Sequence, residues 1–212
     1  MTRGNLLSNL IVALSILLII SCSSHAKSSE NRAWLEPGDH EIKINYAGEK
    51  RSYLVHIPKK RSGRKRAVVM MFHGGGGRAS HAQNNYEWDE LSDKYGFVVV
   101  YPNGSGKTKL FQTWNTGKCC GYALQKKKDD LGYVDALYAD LKTKIQVDTT
   151  RIYGTGHSNG SMMTYYLAQH RPDMFAAVAG VAGIALDTSV RKNHSIPILH
   201  IHSKDDPRAI IT

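Results

Sequence analysis

Two uninterrupted apolar runs, Ala67–Phe72 (AVVMMF) and Phe97–Tyr101 (FVVVY), constrain this chain more than any other feature. Residues that do not alternate with polar ones cannot share a half-wetted surface, so each run must be a strand covered on both faces. Around them, strand and helix signals take turns. His40–Tyr46 and Tyr53–Ile57 alternate apolar and polar residues and are expected to pair antiparallel. Glu87–Tyr95, Gly132–Ile145 and Asn159–His170 read as helices, the second through a stripe of Val134, Leu137, Leu141 and Ile145. Arg151–Thr155, Ala176–Val181 and Ile196–Ile201 read as further strands. Buried strands separated by helices imply an α/β fold, a mostly parallel sheet with helices on both faces. Its chemistry belongs beyond the carboxyl ends of the strands. A length of 212 residues suffices for one such domain, and three cysteines exclude a disulfide-built miniature.

The first segment reads as an address. Residues 1–21 carry Arg3 and then an apolar core, Leu10–Ile20, interrupted only by Ser15. That core falls short of the roughly 20 residues needed to cross a bilayer, so a signal peptide is expected. Ile19-Ile20-Ser21-Cys22 is similar to a bacterial lipobox, which would make Cys22 a lipidation site; the alternative is cleavage after Ser24-His25-Ala26. Both put the mature protein outside the cytoplasm, with membrane attachment only through a lipidated Cys22. Residues 22–37 read as a tether and 38–212 as the folded domain. The chain holds 28 Lys+Arg against 18 Asp+Glu, a formal charge of +10. The basic residues form runs at Lys59-Lys60-Arg61, Arg64-Lys65-Arg66 and Lys126-Lys127-Lys128, the first two bracketing an expected turn at Ser62-Gly63. No aromatics interleave with these runs, which argues against a nucleic-acid partner. A solvated basic surface remains, or attraction to an acidic polymer or an anionic membrane.

Three motifs carry chemistry. Gly156-His157-Ser158-Asn159-Gly160 joins an expected strand to an expected helix. A serine hydroxyl is a weak nucleophile and must be exposed beside a base and an oxyanion site. A tight strand-to-helix turn exposes Ser158, and its flanking glycines leave room for the turn. The helix N-terminus then directs the amide of Asn159 toward a developing oxyanion. His73-Gly74-Gly75-Gly76-Gly77 follows the AVVMMF strand and reads as an oxyanion loop. Its second donor is assigned to the Gly75 amide, with Gly74 or Gly76 as alternatives, and His73 is expected to pin the loop. His202-Ser203-Lys204-Asp205-Asp206 follows a late strand, where this arrangement keeps the acid that orients a catalytic histidine. Asp206 is preferred and Asp205 is the alternative.

Other clusters are weaker. His200 and His202 stand two apart on a strand and should share one buried face; without a third ligand no metal is expected there. Gly104-Ser105-Gly106-Lys107-Thr108 imitates the end of a phosphate-binding loop. Tyr101 occupies the position where that loop requires glycine, and no helical stripe follows. Cys119 and Cys120 are adjacent and could form a vicinal bridge, pair elsewhere or stay reduced. Trp114 and Tyr122 beside them read equally as cleft lining or as packing.

Taken together, several stretches form a recognisable set. These are FHGGGG at Phe72–Gly77, VVYPNG at Val99–Gly104, TWN at Thr113–Asn115, CCG at Cys119–Gly121, VDTTRIYGTGHSNG at Val147–Gly160 and ILHIHSKDDPR at Ile198–Arg208. From about Gly38 to Arg208 the chain resembles the secreted esterase family of polyhydroxybutyrate depolymerases, which also contains feruloyl and acetylxylan esterases. The resemblance implies an α/β-hydrolase fold, Ser158 as nucleophile, Asp206 as triad acid and no cofactor. Ser203 stands where the family pattern has glycine.

The base is missing. Hydrolases of this fold run Ser…Asp…His in chain order, yet all ten histidines precede Asp206. His157 diverges from its neighbour Ser158 on the turn, and His194 is the least unsuitable substitute. The expectation is therefore a C-terminally truncated piece of an exported serine esterase, with little turnover of its own. An exported serine peptidase, or a non-catalytic lipoprotein that binds a polymer, are the competing readings.

Overall fold

The computed structural model describes residues 34–60, 65–186 and 195–207. The expected signal peptide with Cys22, most of the expected tether, the Ser62-Gly63 turn and His194 lie outside the described residues. A seven-stranded sheet forms the centre. Its strands are β1 (Gly38–Tyr46), β2 (Glu49–Ile57), β3 (Arg66–Phe72), β4 (Val98–Pro102), β5 (Val147–His157), β6 (Ala177–Val181) and β7 (Ile198–Ile201). They lie in the order β1-β2-β4-β3-β5-β6-β7. β1, β2 and β4 pair antiparallel; β4 through β7 are parallel. The helices are α1 (Ala79–Asn85), α2 (Trp88–Tyr95), α3 (Gly121–Gln125), α4 (Asp130–Lys144) and α5 (Asn159–His170). Among the described residues no helix is long and apolar enough to cross a membrane.

The apolar runs behave as doubly covered strands. Val68, Met70 and Phe72 of β3, with Val98 and Val100 of β4, join a core that includes Tyr133, Val134, Leu137 and Leu141 of α4 and Met163 and Leu167 of α5. Met71, Val99 and Tyr101 point the other way and pack with Ala79, Ala82, Trp88 and Phe97. Alternating residues of one strand thus feed two cores, as a period of two requires. α4 starts where Asp129 accepts a hydrogen bond from the Gly132 amide (2.9 Å), and carries Lys142 and Lys144 in its last turn. Both features match the polarity of a helix.

Four elements depart from expectation. α1 and α3 were not foreseen because neither carries an apolar stripe; α1 buries only Ala79 and Ala82, and α3 only Ala123. β5 starts earlier than its apolar residues suggest. Its pairing with β3 jumps from Arg66↔Val147 to Val68↔Ile152, so polar Asp148–Arg151 lie in an irregularity. β7 is shorter than expected and is not buried. Ile198, Leu199 and Ile201 are 57%, 58% and 52% exposed, and β7 is the last strand of the sheet among the described residues.

One buried ion pair ties the antiparallel side to α4. The Arg51 guanidinium on β2 donates to Asp130 Oδ1 (2.8 Å) and to the Asn103 carbonyl (3.1 Å), and lies 3.7 Å over the Tyr133 ring. Asp130 Oδ2 accepts from the Asn115 amide (2.8 Å). Burial pushes the Asp130 carboxyl pKa up, against the pull of Arg51. Leaving one buried charge alone is the costly event, so Arg51→Met should destabilise by about 3–5 kcal/mol in urea denaturation. Arg51→Met/Asp130→Leu should recover part of that loss. A double variant as unstable as the single one would contradict this account.

Candidate active site

β3 and β5 run side by side, Phe72 opposite Gly156, so the glycine loop after β3 and the turn after β5 emerge together at the carboxyl edge of the sheet. Ser158 stands at φ 53°, ψ −121° between β5 and α5. A non-glycine residue at positive φ is strained, and such strain persists only where the surroundings impose it. The cause is close packing. A β-carbon on Gly160 would overlap the Phe72 carbonyl, and one on Gly156 would overlap the Gly160 carbonyl. The Ser158 amide donates to the Val181 carbonyl (2.8 Å), fixing the turn to β6. Ser158 is half-buried and no hydrogen bond to its hydroxyl occurs among the described residues.

Asn159 starts α5 and is buried. Its side-chain oxygen accepts from the Trp114 amide (2.8 Å) and its nitrogen donates to the Trp114 carbonyl (3.2 Å). That reciprocal pair occupies the side chain and leaves the backbone amide at the helix start without an acceptor among the described residues. Gly75 lies against it: a β-carbon there would be 3.5 Å from Asn159 Cβ. The Gly75 amide likewise meets no acceptor, whereas Gly76 donates to the Gln112 carbonyl (2.8 Å) and Gly77 to the Gly74 carbonyl (3.0 Å). Of the alternatives, Gly76 is therefore already spent.

His73 holds the loop from within. Its Nε2 accepts from the Gly104 amide (3.1 Å), so Nδ1 carries the proton and donates to the Gly74 carbonyl (2.8 Å). Burial lowers its pKa to about 4, outweighing the opposing pull of the Gly74 carbonyl. Trp114 donates from Nε1 to the His73 carbonyl (3.0 Å) and packs on both Phe72 and His73. Trp114 is fully buried, so its role is packing; Tyr122 is partly exposed and lines a surface groove. Cys119 and Cys120 are bridged to each other.

A cleft of about 280 Å³ opens over Ser158, lined by Gly74–Gly77, Arg78, His81, Tyr86 and His157. The exposed His157 ring meets the edge of Tyr86 and makes no hydrogen bond to Ser158. Asp206 lies past β7, two strands from β5 along the same edge. Its Oδ2 is 3.4 Å from His202 Nε2, and Asp205 is exposed. The structure thus brings Ser158, Gly75 and Asn159 together and leaves Asp206 beside His202. His200 and His202 do stack on one side of the strand (5.2 Å), but His200 is exposed rather than buried and bonds Tyr165 (2.6 Å). The edge position of β7 is the reason.

Sequence spacing missed a second titratable cluster. Asp39, His56 and Asp89 hold metal-ligand atoms within 4.8 Å of one another, from β1, β2 and α2. Those atoms are engaged: His56 Nδ1 with Asp39 (2.7 Å), His56 Nε2 with Asp93 (3.3 Å), and Asp89 with Tyr101 and Gln83. Burial opposes a charged imidazole there, but the three carboxylates together raise its pKa. His56, with a carboxylate at each ring nitrogen, clamps β1 and α2 to β2.

Comparisons with known proteins agree with this layout. The family model described as "Esterase PHB depolymerase" matches residues 51–212. The chain belongs to the PHB depolymerase esterase family. Similar proteins include a bifunctional acetylxylan esterase/xylanase of Neocallimastix patriciarum, 27% identical over 92% of this chain and 29% of that protein. A poly(3-hydroxyalkanoate) depolymerase of Paucimonas lemoignei is 27% identical over 86% of this chain and 41% of its own length. The chain thus spans less than half of each of these relatives. An acetyl xylan esterase structure from Aspergillus awamori shares the α/β-hydrolase fold at a TM-score of 0.58 and 19% identity, covering 74% of this chain and 56% of that one.

The neutral His73 gives a pH signature. Its unfolded form binds a proton near pH 6.5 and its folded form only near pH 4. Stability should therefore be full above about pH 6.5 and fall as pH drops through that window, by at most about 3 kcal/mol. Urea midpoints across the range check this. His73→Gln should be less stable at neutral pH and lose stability less steeply on acidification; an unchanged pH slope would contradict the assignment.

Proposed function

We propose that this protein is an exported serine esterase that cleaves carboxylic esters through an acyl-enzyme. Ser158 Oγ attacks the ester carbonyl carbon, and the amides of Gly75 and Asn159 hold the oxygen as it becomes negative. The alcohol leaves, and water then releases the acid and restores the serine. The proton acceptor in this reading is a histidine that follows Asp206 in chain order and is oriented by it; none of the six residues after Asp206 is histidine. Export rests on residues 1–21, and a lipidated Cys22 would supply membrane attachment. The substrate class lies among polyhydroxyalkanoate, feruloyl and acetyl esters, the activities for which similar proteins are named.

The observation that carries this reading is the strained Ser158 turn with two unspent amides beside it. Water cannot match donors fixed in advance where charge will develop, and one such donor is worth roughly 10²–10³ in rate. Ser158→Ala should lower hydrolysis of a short-chain nitrophenyl ester by roughly 10³-fold or more, with the fold retained by circular dichroism. Near-wild-type turnover in that variant would sink the assignment.

A further inference from the structure

Seven Lys and Arg side chains line a groove that leads to the Ser158 cleft. A cavity of about 610 Å³ lies between the β1–β2 hairpin and the segment 103–112, and a second of about 410 Å³ adjoins it. They share Lys50, Arg51, Gly104, Lys109 and Gln112. Arg78 lines the larger cavity and also the cleft over Ser158, so it stands where the two meet.

The groove's charges do not cancel. Glu41 and Glu49 are its lining carboxylates; Glu41 faces Lys43 (4.0 Å), and Glu49 pairs with Lys128. Arg51 is committed to buried Asp130. Lys50, Arg78, Lys107 and Lys109 meet no carboxylate within ion-pair distance among the described residues. Arg78 is held in place by its Nε bond to Ser80 Oγ (2.9 Å). A concave lining with an excess of one sign focuses field and concentrates polyanions along it. Beside the groove, Phe111 is 70% exposed, and its ring edge is 4.0 Å from where a β-carbon on Gly76 would stand. An exposed aromatic face next to the oxyanion loop suits the C–H face of a sugar ring.

We propose that this groove binds an acidic polysaccharide, a carboxylate-bearing sugar chain whose ester substituent is delivered to Ser158. The proposal rests on the esterase reading and gives it a substrate class. A polyester such as poly(3-hydroxybutyrate) has no repeating anion for the four uncompensated cations. Nucleic acid repeats its anion but carries no carboxylic ester. An anionic membrane presents a plane, not a chain that follows a groove.

The test is affinity electrophoresis or calorimetry on the full chain carrying Ser158→Ala, so that binding is read without turnover. Ligands are polygalacturonate, glucuronate-bearing xylan, neutral arabinoxylan, duplex DNA and phosphatidylglycerol vesicles. Acidic polysaccharides should bind at least roughly tenfold more tightly than arabinoxylan, and should weaken as salt rises from about 50 to about 300 mM. Lys50→Glu/Lys109→Glu should lose roughly tenfold or more. The off-groove control Lys59→Glu/Lys142→Glu, of equal net charge, should lose less than about twofold. Equal losses in both variants, no preference for acidic over neutral chains, or tighter binding to DNA or vesicles would each overturn the proposal. Urea midpoints of the variants exclude unfolding as the cause. Fluorophosphonate labelling of Ser158 in the parent separates the two readings. Polymer binding without labelling supports the groove and removes the catalytic role; labelling without polymer binding overturns the groove alone.

Discussion

The first turn of α5 lies so close to the end of β3 that residue 160 has no space for a side chain. That contact determines the rest of the site. It forces the chain to reverse within the turn after β5, which drives Ser158 to positive φ and turns its side chain out of the sheet. It also sets the start of a helix against the glycine loop, so that Gly75 and Asn159 abut. A bulkier residue at 156 or 160 would separate the two loops before any chemical group was altered.

Around this contact the polar groups are arranged to hold backbone rather than to react. Asn159 and Trp114 exchange hydrogen bonds, Trp114 reaches the His73 carbonyl, and His73 spans Gly74 and Gly104. Each member is buried, and each uses its side chain to fix a neighbouring loop. The amides of Gly75 and Asn159 remain outside that exchange. A neutral His73 suits this arrangement, because a charged imidazole would have to donate at both nitrogens while Gly104 offers only a donor. On the opposite side of the sheet order, the Arg51–Asp130 pair does comparable work, joining β2, α4 and the loops at Asn103 and Asn115.

Much of this was legible from residue order alone. Runs such as AVVMMF and FVVVY announce strands buried on both faces, and a mostly parallel α/β sheet follows from their alternation with helices; the α/β-hydrolase layout was implied by the resemblance of the motifs to the esterase family. The G-x-S-x-G turn and the glycine loop are legible because close backbone approach requires glycine at fixed spacing. α1 was not, since two buried alanines make no stripe. The exposure of β7 was hidden because an apolar run reports what a strand can bury, not what covers it. The clustering of Asp39, His56 and Asp89, and the groove that assembles Lys50, Arg78 and Lys109, depend on contacts between distant segments. Lys107 stood out only as part of an imitation phosphate loop and Lys109 not at all, and among the described residues the basic runs noted in the sequence contribute only Lys128 to the groove.

The central claim is that packing at Gly160 makes Ser158 a reactive nucleophile. Treating the protein with a fluorophosphonate and mapping the adduct by peptide mass spectrometry tests it directly. The account predicts a single adduct on Ser158, lost in Gly160→Val even where that variant stays folded. An adduct on another serine, or an unreactive Ser158 in the folded protein, would contradict it.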